Sequence, residues 1–307
     1  MPRNILHISC LLLAAVWLSA CSISTIAVRN IFDPDGASAD NTDPTILELE
    51  EDPALVESML PTLMISLEAV HRSYPDNPAL AQTVAQLFLL YGTAFVEERA
   101  DRLELIDVAA AKAERQRAHR LYVRARDFLL RSFTERYPEA VTQVRSDPAR
   151  FIAGLDDDES VYLYWLAAAW SLVIASGSDR PDILAELSVP EAMMRHLEGR
   201  DPEFMRGALD EFFFRWEMAQ AGSAVAQEHA LQYYQRAMVR SEGRKLALRV
   251  AWAEKYAVSV QDREGFERTL REVLAFDLAS APQYRLFNTI AQRRAAWLLA
   301  RVDELFI

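Results

Sequence analysis

The 307-residue sequence is poor in glycine, with 9, and in cysteine, with 2, and has little β-branched alternation. Leu, Ala, Arg and Glu dominate instead, which excludes a sheet-rich fold and predicts an all-α one. Both cysteines, Cys10 and Cys21, stand at the extreme N-terminus. The body therefore has no disulfide, no thiol chemistry and no cysteine-pair zinc site. There is no Gly-rich phosphate loop and no H-E-x-x-H. His71, His119, His196 and His229 are scattered so that no two share a helix turn. The formal charge is −12 with no basic stripe, which excludes nucleic acid as a partner. No catalytic residue, metal site or cofactor motif is found, so an enzyme is not expected.

What is there begins with a leader. "MPRNILHISCLLLAAVWLSAC" carries Arg3, then an apolar run, then small residues, the order of a secretory signal. "LSAC", Leu18 to Cys21, matches the bacterial lipobox, so residues 1–20 are read as a signal peptide and Cys21 as the acylated first residue. Several acyl chains, each worth ~0.8 kcal/mol per buried CH₂, give a stable membrane anchor. Ser22 rather than Asp follows, which predicts the outer membrane rather than retention at the inner one. Residues 21–49 are expected to be the lipidated N-terminus and an acidic tether. Across 32–52 the sequence has eight acids and no base.

From residue 50 to 307 the pattern is helical. Helices are expected at about 53–72, 78–103, 107–136, 160–177, 182–197, 201–220, 224–241, 244–260, 263–276 and 281–305, punctuated by prolines. Short connections imply antiparallel neighbours. The run "VYLYWLAAAWSLVIASGS" at 161–178 has no charge until Asp179. Its apolar part, at ~1.5 Å per residue, reaches roughly 24 Å, short of a ~30 Å hydrocarbon core. A helix buried within the protein is therefore expected. The acids before it, "DDDES" at 156–160, point in different directions on a helix and suit a cap, from Asp157 or Asp158, better than a metal.

Two segments share the spacing A-xxx-Y-xx-A: Ala118, Tyr122, Ala125 and Ala230, Tyr234, Ala237. This is the spacing of the second helix of a tetratricopeptide repeat (TPR). Weaker copies are Leu63, Leu67, Val70; Val189, Met193, His196; and Phe266, Leu270, Val273. Only the last intervals approach the repeat length of ~34. The expected architecture is a TPR-like α-solenoid of antiparallel helix pairs with degenerate repeats.

A solenoid's concave face can enclose a cavity, and four residues are candidates to line it. Tyr162 and Trp165 share a helix face, whereas Trp170 lies ~140° from Trp165 at ~100° per residue. Either that pair or Trp170 is expected beside the cavity. Asn288, in an apolar stripe, needs a polar partner: a ligand, a water or a backbone carbonyl. These residues suggest a largely apolar cavity for a small hydrophobic or amphipathic ligand. Lys245 and Arg249 share another face and suit either an anion or solvent.

The order of several segments along the chain carries a resemblance. They include "DPALVESMLPTLMISLEAV", "YWLAAAW", "ASGSDRPDILAELSVPEAMMRHLEGRDPEFMRGA", "RAMVRSEGRKLALRVAWAEKYAVSVQDREGFERTLREVL" and "FNTIAQRRAAWLL". Together with the lipobox, they resemble the TRAP-transporter TatT component family. The resemblance implies a periplasm-facing helical-repeat lipoprotein. It also implies a homotrimer with a pore or cavity through each protomer. The implied partner is the periplasmic solute-binding protein of a tripartite ATP-independent (TRAP) transporter. His196 and Gly199 depart from the repeat pattern. The function expected is an accessory role in TRAP-type uptake; the alternative is a generic envelope TPR scaffold.

Overall fold

The computed structural model describes residues 45–306, apart from 76 and 220–223. The leader, Cys21 and most of the expected tether lie outside the described residues. Everything described is helix, turn or connection, with no strand among the described residues.

Helix starts follow local chemistry. Asp52, Asn77, Asp107 and Asp147 cap α2 (Pro53–Ser73), α3 (Pro78–Tyr91), α5 (Val108–Arg136) and α7 (Pro148–Ala153). Each side chain accepts from a backbone N–H of the first turn that no helical carbonyl reaches. Proline occupies the first position of three of these helices, where its missing N–H costs nothing. Ahead of them α1 (Ile46–Leu49) is closed by a capping box between Thr45 and Glu48. Its Leu47 is buried, so ordered packing starts inside the segment read as tether.

Helix α3 does not end at Tyr91. It passes through a π turn, π1 (Gly92–Glu97), into α4 (Glu98–Leu103). Beyond α5 come the short α6 (Pro138–Val141), then α7, then the apolar α8 (Ser160–Ser176). Next are α9 (Pro181–Leu184) and α10 (Ser188–Arg200). They replace the single helix expected at 182–197. The helix expected from 201 starts later, as α11 (Ala208–Ala219), because Met205, Arg206 and Gly207 all have positive φ. Then follow α12 (Ala224–Arg240), α13 (Leu246–Ala251) and a second π turn, π2 (Trp252–Ala257). The chain closes with α14 (Arg263–Ala275), α15 (Arg285–Leu299) and α16 (Val302–Leu305).

The expected aspartate cap on α8 gives way to another arrangement. Glu159 precedes the helix without a side-chain cap bond. Its carboxylate instead pairs with Arg136 and accepts from Tyr137 Oη at 3.1 Å. Both strong repeat copies bury their alanines: Ala118, Ala125, Ala230 and Ala237 are at most 1% exposed. The weaker copies at Leu63–Val70 and Val189–His196 fail only at their third positions, since Leu67, Val189 and Met193 are buried. Val70 and His196 are exposed, and Leu60, Met64 and Leu197 turn inward beside them.

A large core joins α2, α3, α5, α8 and α10 and reaches Phe213 in α11. A second unites α13, π2, α14 and α15. A small cluster around Phe214, Ala230, Ala237 and Leu248 bridges them. The apolar α8 packs against α3, α5 and α10, which accounts for its lack of a polar face. By length and apolarity alone, Pro53–Ser73 and Pro78–Leu103 could cross a membrane, but 72% of the latter's apolar window is buried inside the protein.

The first described helices meet a late one. Helix α15 packs against α1 and α2, and Arg285 pairs with Glu51. Arg294 Nη2 on α15 donates to Asp101 Oδ2 on α4 at 2.7 Å. Clefts open where π2 and α15 approach the earlier helices.

Candidate functional site

Three clefts share two residues. The largest, of about 770 Å³, lies among π1, α4, α5, the end of α8 and π2. The second, of about 490 Å³, is lined from α3, α4, α8, α11, α13 and α15 as well as both π turns. The third, of about 290 Å³, runs toward Trp297 and α16. Asp101 and Lys255 line all three, and Glu97 lines the first two. Both π turns border this junction. A π turn inserts one residue into a helix and re-aims the side chains after it, and such turns concentrate at functional sites.

The charges at the junction form a chain. Arg294 donates through Nη2 to Glu254 Oε1 at 2.5 Å as well as to Asp101. Arg115 Nη2 donates to Asp101 Oδ1 at 3.1 Å, and Arg115 also pairs with Glu104. Arg294 lies over the Trp297 ring at 4.3 Å, with Arg301 at 4.4 Å. Its Nη1 is buried without a partner among the described residues. Burial alone would raise the Glu254 pKa, but the adjacent Arg294 and Lys255 charges hold it below the ordinary carboxylate range. Glu97 behaves oppositely. Burial pushes its pKa up, and no arginine or lysine forms an ion pair with it among the described residues. Glu97 adjoins the buried Tyr122, whose hydroxyl pKa is raised by burial and by the Glu97 charge.

The second cleft is amphipathic. Leu90, Leu172, Val250, Phe287 and Ile290 supply an apolar wall; Arg215, Glu254, Lys255 and Arg294 stand beside it. The cleft thus joins an apolar wall to a charged rim, where few polar contacts were expected. Carboxylates and guanidiniums occupy the junction because partners from distant helices neutralise one another there.

The four residues expected beside a cavity lie elsewhere, and none lines these three clefts. Tyr162 is buried on the Phe133 ring at 5.3 Å, and its hydroxyl donates to the Pro78 carbonyl. Trp165 meets Tyr164 edge-on at 5.3 Å, with its Nε1 buried and unpartnered. Trp170 is 0% exposed, and its Nε1 donates to Glu186 Oε2 at 2.8 Å. Asn288 finds its partners in the backbone: Nδ2 donates to the Arg244 carbonyl at 2.9 Å, and Oδ1 accepts from Leu246 N–H at 3.0 Å. Of the basic pair, Lys245 is taken by Glu211 at 2.7 Å and Arg249 by Glu272 at 3.1 Å. Glu97, Asp101, Glu254, Lys255 and Arg294 went unrecognised in the sequence. Each is an ordinary helix charge until the fold assembles them; Asp101 and Arg294 are 193 residues apart.

The profile described as TRAP transporter T-component matches residues 49–306. The chain belongs to the TRAP transporter T-component family. A protein of Treponema pallidum (strain Nichols), described as uncharacterized, is 28% identical over 97% of this chain and 95% of its own length. Membership supports an accessory role in a TRAP transport system and is not that of a known enzyme family. In this T-component the family match begins at α1, so the junction and both π turns fall wholly inside it.

Proposed function

We propose that this T-component is anchored by lipid at Cys21, faces the periplasm from the outer membrane, and works there beside the solute-binding protein of a TRAP system. Its clefts take a small amphipathic ligand that the solute-binding protein also handles. The observation that carries this reading is the second cleft. Six helices and both π turns converge on it, with an apolar wall beside a charged rim. Pockets that bind small molecules combine apolar walls with a few placed polar groups, and they occur where helical units meet. The homotrimer implied by the family resemblance is part of the proposal, as is TPR-like stacking of the helices.

The test uses the chain from Ser22 onward, mixed with the solute-binding protein of the same TRAP system. Sedimentation velocity should show a trimer alone and a larger complex in the mixture. Ala247→Trp, at an exposed cleft residue, should leave the trimer intact and abolish ligand uptake. A chain that stays monomeric and ignores the solute-binding protein would overturn the proposal. Complex formation with an Ala247→Trp variant that still takes ligand as wild type does would leave a scaffold as the better reading.

A further inference from the structure

The largest cleft has the wrong sign for this protein. The chain as a whole carries −12. The cleft is lined by the bases Lys112, Arg115, Arg120, Arg180 and Lys255 against the acids Glu97, Asp101 and Asp179. Two of the bases are already engaged: Arg115 by Asp101 and Glu104, and Arg180 by Asp182 at 2.6 Å. The other three, Lys112, Arg120 and Lys255, are exposed and form no ion pair among the described residues. Their convergence is unfavourable without an anion, since like charges repel and concave walls focus the field. Scattered surface lysines would carry no such argument; these share one concavity with His119 and Ser176, whose Nδ1 and Oγ are 2.9 Å apart.

Lys255 also lines the second cleft, beside its apolar wall. Phe287 on that wall is 37% exposed, so apolar surface stands open close to a cation with no ion-pair partner. Asp101 and Glu254, the acids that would repel an anion there, are already bound by arginines. Glu97, whose neutral form burial favours, and the exposed Asp179 remain, two acids against the three bases.

We infer that the ligand of this T-component is an amphipathic anion, held by its head group at Lys112, Arg120 and Lys255 and by its apolar tail against Leu90, Leu172, Val250, Phe287 and Ile290. This rests on the reading of the clefts as a ligand site and adds the chemical class. Carboxylate and phosphate heads share the chemistry, and they differ in charge and geometry.

The experiment is calorimetric titration of the full mature chain with four probes of equal tail length, each below its micelle concentration: decanoate, decyl phosphate, decanol and decyltrimethylammonium. The expected result is that an anion binds about tenfold or more tighter than decanol, with the cation weakest. The preferred anion identifies the head group. The triple variant Lys112→Gln, Arg120→Gln, Lys255→Gln should lose about tenfold in anion affinity, from three screened charges. It should keep its affinity for decanol and its circular dichroism, because all three side chains are exposed. Equal binding of decanol and the anions would overturn the anionic class and leave the ligand site standing. Anion binding that the triple variant does not weaken would overturn the head-group placement. Binding of none of the four would overturn the ligand site as well.

Discussion

Gly92 faces the ring of Tyr122: a β-carbon on Gly92 would stand 2.5 Å from Tyr122 Cε1. The aromatic of the A-xxx-Y-xx-A segment on α5 thus fills the space left by a missing side chain at the start of π1. Gly92 has φ −61° and ψ −51°, so space rather than backbone freedom demands glycine here. Gly92→Ala is expected to lower stability by about 1–3 kcal/mol through overpacking. Urea unfolding followed by circular dichroism reads it. The double change Gly92→Ala, Tyr122→Leu should recover part of the loss, and an unchanged midpoint in the single variant would contradict the fit.

Asn288 ties α15 to the entry of α13 through two backbone groups. Replacing it with Ala leaves the Leu246 N–H and the Arg244 carbonyl without their partner in a site where Asn288 is 1% exposed. The expected cost is about 2–4 kcal/mol, each stranded group contributing the penalty of an unpaired buried polar group. Ligand affinity of the fraction that stays folded should match wild type, since Asn288 does not line the junction. A folded Asn288→Ala protein with selectively lost ligand binding would place it in the site after all.

Glu97 makes stability depend on pH. Its folded pKa is raised, first by burial and then by Asp101, against lowering contributions from Tyr122, Lys255 and Arg115. A raised folded value means that its contribution is complete below the unfolded carboxylate value and is lost as pH rises through the folded value. Above that value the wild type holds a poorly solvated charge. Glu97→Gln should therefore raise the melting temperature at pH 8, and the gain should shrink at pH 5. A gain of the same size at both values would show that charge at Glu97 is not the cause.

The lipid anchor at Cys21 is tested by substitution. Cys21→Ala should abolish fatty-acid labelling and leave an uncleaved or mislocalised precursor. With Ser22 after the cysteine, the wild-type protein should fractionate with outer-membrane markers. Labelling of the Ala variant at wild-type level would remove the anchor from the proposal.

Much of this protein was determined locally by its sequence. The helical class follows from composition, and the helix starts follow from Asp52, Asn77 and Asp107, each of which satisfies a backbone N–H within three residues. The burial of α8 follows from sixteen or so residues without a charge, too short to span a bilayer. Tertiary structure decided the site. Tyr162, Trp165 and Trp170 were candidates because a helical wheel gives their angular separation, yet it does not say which neighbour covers each face. The α8 neighbours cover them, and the clefts open elsewhere. Neither π turn has a signature in composition, because its altered hydrogen-bond register depends on what packs against it, as the Tyr122 ring does at Gly92. The junction of Asp101, Arg115, Glu254 and Arg294 exists only once α15 returns to the first helices. Its charges are tolerable there because partners remote in the chain neutralise one another, and no local pattern records a pairing across such a distance.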